Sequence, residues 1–257
     1  MTNMKDKTAE KLQKAKADNA VVYKVMIALL LLCCSLLGLR HLHAYYGTIG
    51  GFDVLEPMTM PVAIIGAVVF VLSAILTIVI KNKVVHTVLP WFLPISAMAS
   101  ITALNMHAYW TENFAILYFL CCAILLQYII YQLYRWEFFL FSLSTAAAGG
   151  LFLSYSSGFS WDLKNMLLLA AALIILLVTT LCTKTAVGNA GMLVFGRTRI
   201  QLFPAKSNPL LIYLVNALWL ICIVAALFLG SLFSYYCMFA ALAVEFIAAV
   251  YYTFQLN

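Results

Sequence analysis

Residues 210–229, LLIYLVNALWLICIVAALFL, and residues 231–254, SLFSYYCMFAALAVEFIAAVYYTF, are two apolar runs that a single residue, Gly230, separates. Among the Asp, Glu, Lys and Arg residues of the chain, only Glu245 falls inside them. A helix needs about 20 mostly apolar residues to cross the hydrocarbon core of a bilayer, and each run is long enough. The two runs therefore predict a pair of membrane-spanning helices joined by a tight turn at Gly230.

The whole chain has the composition of a protein that crosses the membrane many times. Of its 257 residues, 65% are hydrophobic and 9% are charged, and the mean hydropathy is +1.02. A typical soluble domain is about 45–50% apolar and about 25% charged, because its surface must stay polar. This composition excludes a soluble enzyme, a nucleic-acid-binding protein and a secreted disulfide scaffold as descriptions of the entire chain.

Eight apolar runs are long enough to span a bilayer, and lipid offers no partner for free backbone groups, so each run is predicted to be a helix. The runs lie at about 21–39, 61–80, 88–107, 114–134, 138–155, 165–182, 210–229 and 231–254. The predicted fold is therefore an all-α integral membrane protein, with an eight-helix transmembrane domain over 21–254. Pro90 and Pro94 kink the third run, for which a re-entrant segment is the alternative.

The positions of the cationic residues predict the orientation of these helices. If the N-terminus is cytosolic and the runs alternate, 13 of the 15 Lys and Arg residues lie inside and only Arg40 and Lys164 lie outside. This is the asymmetry of the positive-inside rule, so both termini are predicted to be cytoplasmic. The chain has no Asn-x-Ser/Thr sequon, which favours a bacterial cytoplasmic membrane.

Two segments outside the apolar runs have patterns of their own. Residues 1–20 are rich in Lys and Ala, which predicts a charged helical tail whose lysines contact anionic lipid headgroups or a protein partner. The alternative is a charge cluster that only fixes orientation. The outer loop 44–60 contains three glycines and is predicted to be flexible and mildly acidic.

The inner loop 183–208 has the alternation of a β-hairpin. Gly196 and Arg197 suit a two-residue type II′ turn, which pairs Phe195 with Thr198 and Leu193 with Ile200. An isolated hairpin is marginal in water, so its apolar face needs a surface to pack on. The predicted cytosolic docking residues are Leu193, Phe195, Arg197, Arg199 and Ile200. A linker with chance alternation is the alternative.

Charged residues inside spans are rare and tend to be functional, which singles out Glu245. Counting from Gly230 places Asn216 and Glu245 at similar depth, roughly 22 Å from the turn, and predicts a hydrogen-bonded pair. Gln127, Gln132 and Trp219 are candidates to extend this network. Two interpretations stay open: Glu245 titrates in function, or it only joins helices. The small residues 146–150 of the fifth run predict a close packing seam.

The sequence favours a non-enzymatic scaffold or accessory subunit, whose basic cytosolic face meets anionic lipid or a membrane or cytosolic protein. The alternative is a small proton-coupled carrier or channel-like transporter that uses Glu245. The chain lacks His-Glu-x-x-His, Gly-x-Ser-x-Gly and phosphate-binding glycine motifs, and none of its seven cysteines has zinc-site spacing. We expect no catalytic residues, metal, cofactor or nucleic-acid partner.

Overall fold

A computed structural model describes residues 2–79, 83–109, 114–158, 160–195, 198–203 and 208–255. Within these residues the chain forms eight helices and one two-stranded antiparallel sheet. The helices are α1 (Thr2–Tyr46), α2 (Ile49–Val79), α3 (Lys83–Tyr109), α4 (Phe114–Leu133), α5 (Trp136–Ser156), α6 (Leu163–Gly188), α7 (Leu210–Leu229) and α8 (Ser231–Gln255). The strands β1 (Met192–Phe195) and β2 (Thr198–Gln201) lie between α6 and α7.

Seven of the described helices are long and apolar enough to cross a membrane, so the architecture is that of a polytopic membrane protein. The exception is α3, which is continuous through Pro90 and Pro94 and has 27 residues. Membrane helices tolerate proline because neighbouring groups satisfy the freed carbonyls. Within the described part of α3 the chain does not turn back, which counts against a re-entrant segment.

The prediction of a flexible loop over 44–60 is wrong. α1 continues to Tyr46, α2 begins at Ile49, and only a short turn separates them. Thr48 forms this turn, because its side-chain Oγ1 accepts the backbone N–H of Gly51 at 3.1 Å at the start of α2. Pro57 and Pro61 lie inside α2, so the acidic residues of the predicted loop belong to a helix.

The chain divides into two compact units, of which the first is Leu31–Cys121. In it α2 and α3 pack antiparallel along their length. Ser100 Oγ donates to the carbonyl of Ala63 at 3.1 Å, and a side chain at Gly66 would collide with Ser100. Small residues therefore allow these two helices to approach closely, as in many membrane helix pairs.

The second unit, Met1–Leu30 with Cys122–Asn257, has α5 at its centre. α5 packs against α6, α7 and α8, and its Ala148 and Gly149 are buried, which confirms the predicted seam. Phe152, Trp219 and Ile223 form the apolar core around it. α7 ends at Gly230, whose φ of 78° favours glycine, so the predicted tight turn before α8 is confirmed.

The predicted hairpin is present with the predicted register, Leu193 opposite Ile200 and Phe195 opposite Thr198. Its turn residues, Gly196 and Arg197, lie outside the described residues. Leu193 packs against a buried cluster formed by residues of α5, α6 and α7 and by the two residues after β2: Leu140, Ala186, Ile212, Leu202 and Phe203. The hairpin therefore places part of its apolar face on its own protein.

Candidate functional site

Glu245 lies where α4, α5 and α8 meet. The hydroxyl of Ser142 on α5 donates to Glu245 Oε1, and Gln127 Nε2 on α4 donates to the same hydroxyl at 2.6 Å. Ser142 is buried, and Glu245 and Gln127 are partly buried. Gln127 therefore belongs to the Glu245 network, and Ser142, which the sequence did not single out, bridges the two side chains.

Two oxygens of this network are buried without a hydrogen-bond partner, Glu245 Oε2 and Gln127 Oε1. A buried polar atom with no partner is costly, and native proteins seldom keep one without a reason. A proton on Glu245 Oε2 would let this atom donate a hydrogen bond. A bound cation would instead interact favourably with both unpartnered oxygens, Glu245 Oε2 and Gln127 Oε1. The site therefore has the chemistry to take up a proton or a small cation.

A second carboxyl group, Glu137, lies on the same α5–α8 interface and is only 2% exposed. Tyr252 Oη on α8 donates to Glu137 Oε1 at 3.1 Å, while Oε2 has no partner. Phe138 stacks on Tyr252 with ring centroids 4.9 Å apart. In the sequence Glu137 falls between the fourth and fifth predicted runs, and it was not a candidate. The signal that could have found it is its i, i+4, i+7 spacing with the buried Phe141 and Ser144.

The hydrogen bond predicted between Asn216 and Glu245 is not formed. Asn216 Nδ2 donates to Thr179 Oγ1 at 3.0 Å and to Thr180 Oγ1 at 2.8 Å, both on α6, and its Oδ1 has no partner. Equal distance from Gly230 sets depth but not rotation about the helix axis. α7 turns Asn216 towards α6, whereas α8 turns Glu245 towards α5.

Trp219 and Gln132, the other predicted members of the network, form no hydrogen bond with Glu245 either. Trp219 Nε1 donates to Thr145 Oγ1 on α5 at 3.2 Å, so it joins α7 to α5 and has no bond with Glu245. Gln132 has no hydrogen bond among those of the described residues, and it is partly buried. Four of the five candidates therefore fall into three separate hydrogen-bonded groups, which reach α5 at Ser142, Ser144 and Thr145, and Gln132 belongs to none of them.

α5 carries buried polar groups along most of its length. They are Glu137, Ser142, Ser144, Thr145 and Ser154. From Glu137 to Ser154 the helix rises about 25 Å, close to the ~30 Å hydrocarbon thickness of a bilayer. Ser144 pairs with Thr179 at 3.0 Å and Ser154 donates to Asn165 at 2.6 Å, so groups on α6 continue the row.

The row ends beside Asp162, which lies outside the candidate spans, just before α6. A hydrogen bond from the Ser160 side chain lowers the pKa of the Asp162 carboxyl below its usual value. Asp162 therefore stays ionised at neutral pH, which places a negative charge near this end of α5 and α6.

The predicted docking residues lie in and around the hairpin. Leu193 packs against the buried cluster described above. Phe195, Arg199 and Ile200 lie in the paired strands, and their side chains, like the whole of Arg197, lie outside the described part of the structure.

The described residues contain no group of three or more His, Cys, Asp or Glu residues that could hold a metal ion. Comparison of the chain with protein-family models, with curated proteins and with solved structures finds no match.

Proposed function

We propose that the protein is a small proton-coupled carrier or channel-like transporter in which Glu245 carries the proton. The observation that supports this most is the pair of buried, unpartnered oxygens on Glu245 and Gln127, held around Ser142. Glu137 adds a second buried carboxyl group on the same interface, in the first turn of α5.

The hydrogen bonds suggest how a proton could be coupled to helix movement. When Glu245 is neutral, Ser142 satisfies one of its oxygens and the other can hold the proton. When the proton leaves, the carboxylate needs a further donor, and Gln127 Nε2 has a second N–H besides the one that it gives to Ser142. Protonation would then change the contacts among α4, α5 and α8, which is the differential interaction that a population shift requires.

The orientation is part of this proposal: eight spans, with both termini in the cytoplasm of a bacterium. It is supported by the sequence, since this orientation would place 13 of the 15 Lys and Arg residues on the inner side. α3 is long enough to be the remaining span, since its 27 residues rise about 40 Å. It also pairs antiparallel with α2, which is a candidate span.

Labelling of engineered cysteines tests the orientation. In intact cells, a membrane-impermeant maleimide is expected to label Asp162→Cys and to leave Arg199→Cys unlabelled until the cells are opened. The native cysteines lie in helices that are candidate spans, where thiols react slowly for want of water, and the unmodified chain measures their background. Labelling of Arg199→Cys in intact cells would contradict a cytosolic hairpin.

Proton movement tests the function. The purified protein in liposomes with an internal pH-sensitive dye is expected to acidify the interior when one class of solute is added outside. Organic acids, amines, amino acids, sugars and monovalent cations are added separately. The rate should exceed that of empty liposomes for at least one class and saturate with solute. Rates equal to those of empty liposomes for every class would argue against transport of those solutes.

A scaffold or accessory subunit is the second candidate, and the length of α1 favours it. α1 is continuous from Thr2 to Tyr46, while its candidate span begins at Val21. The segment before Val21 is therefore a helix that rises roughly 28 Å beyond the span. Its five lysines suit anionic lipid or an acidic partner surface. Neither candidate is an enzyme, in keeping with the motifs that the sequence lacks.

A further inference from the structure

An apolar slot of about 380 Å³ lies within the Leu31–Cys121 unit, between α1, α2, α3 and Cys121 of α4. Its lining runs from Leu42, Leu55 and Met106 near the α1–α2 turn to Ser35, Val62 and Met98 farther along the same helices. These limits are seven or eight residues apart on each helix, a rise of about 10–12 Å. The slot is therefore elongated and parallel to the helix axes.

At the far end of the slot α1 and α4 are in contact. Ser35 Oγ lies 3.0 Å from Cys121 Sγ, within hydrogen-bond distance. Otherwise the lining is almost entirely aliphatic and thioether, and includes Met58, Met98 and Met106. Met58 and Val62 are exposed, so the slot is open along α2, and flexible methionine side chains adapt their shape to an apolar occupant.

The end near the α1–α2 turn is polar and acidic. Thr59, which lines the slot, lies 3.1 Å from His107 Nδ1 through its Oγ1, and Glu56 Oε1 lies 3.8 Å from the same nitrogen. This end therefore offers hydrogen-bond acceptors and the half-exposed Glu56 carboxylate.

We propose that this slot binds a single-chain amphiphile with a hydrocarbon tail and an amine head. The tail would lie along the slot towards Ser35, and the ammonium group would meet the Glu56 carboxylate beside Thr59 and His107. The elongated apolar lining selects the tail, and the acidic end favours a cationic head over an anionic one. Both features belong to one unit and do not depend on Glu245 or on proton transport.

Photolabelling of the full-length protein in phosphatidylcholine nanodiscs tests the site. The probe is dodecylamine with a diazirine in its tail, and the same tail with an alcohol or a carboxylic acid head is compared. Mass spectrometry should place the amine probe on slot-lining peptides of α1, α2 and α3, and excess dodecylamine should compete with it. Labelling by the carboxylic acid should be weaker by about fivefold, because Glu56 repels it.

Two variants and one control test the binding of the tail and the binding of the head separately. Ala103→Phe fills the slot and should reduce slot labelling about tenfold, whereas Leu104→Phe, on the exposed side of the same helix, should leave it unchanged. Glu56→Gln should keep tail labelling but remove the preference for the amine. The proposal is overturned if labelling matches that of the exposed helix surfaces, resists competition, or is unaffected by Ala103→Phe in a variant with wild-type melting temperature.

Discussion

Replacing Glu245 by glutamine is expected to reduce solute-dependent proton entry into liposomes to the rate of empty liposomes. Glutamine keeps the shape of the side chain and an oxygen that can accept from Ser142, so the contact between α5 and α8 can persist. It cannot bind or release a proton near neutral pH. The expected loss is therefore one of function without loss of folding, and the initial rate of dye response measures it.

Further substitutions at Glu245 and in α4 test whether the loss is specific to the carboxyl group and its network. Glu245→Asp restores a titratable carboxyl group and should recover part of the rate. Gln127→Leu removes the second side chain of the network and should slow proton entry, while Gln132→Leu, on the same helix but outside the network, should not. Wild-type flux in folded Glu245→Gln protein would show that Glu245 only joins helices, which was the other interpretation of this residue.

The α7–α8 hairpin shows which parts of the fold the sequence could predict. Its two apolar runs end at Gly230, and the structure has α7 ending at Leu229 and α8 beginning at Ser231. The prediction succeeds because a long apolar run and a glycine with positive φ act locally. The β1–β2 register is also local, since a two-residue turn fixes which residues face each other.

The α1–α2 connection shows where local signals mislead. Gly47, Gly50 and Gly51 with acidic neighbours are typical of a loop, but a glycine is also common at a helix start. Whether this segment is a loop or a helix depends on its contacts with other helices. Leu55 lies beside residues of α3 along the slot, and the side chain of Thr59 meets His107. A helix over these residues gains packing that the segment alone does not reveal.

For the candidate site, the sequence could not predict the rotation of Asn216 and Glu245 about their helix axes. In α7 and α8 nearly every position is apolar, so the sequence does not mark which face of each helix meets the protein. Asn216 turns to α6 because Thr179 and Thr180 supply hydroxyl partners there. α5 is different, because this mostly apolar helix contains several serines, a threonine and a glutamate, and the structure buries them together at the centre of its unit. These polar residues within a mostly apolar segment were the sequence signal for Ser142 and Glu137.

The central position of α5 leads to the second large effect, on stability. Phe152→Ala is expected to lower the free energy of unfolding by about 2–3 kcal/mol. In soluble cores the same change costs about 3–5 kcal/mol, of which part is transfer of the ring from water. That part is small here, since lipid surrounds the unfolded helices, and the loss of packing against Trp219 remains.

The same substitution at exposed phenylalanines shows whether the loss of stability comes from lost packing or from the removal of any phenyl ring. Phe152 is 0% exposed, whereas Phe228 on α7 and Phe246 on α8 are 84% and 71% exposed. Titration from mixed micelles into SDS, followed by circular dichroism, measures the unfolding of each variant. Phe228→Ala and Phe246→Ala should each change the free energy by less than about 0.5 kcal/mol. Equal effects at all three positions would mean that α5 does not lie at the centre of its unit, because only a buried ring leaves a cavity when it is removed.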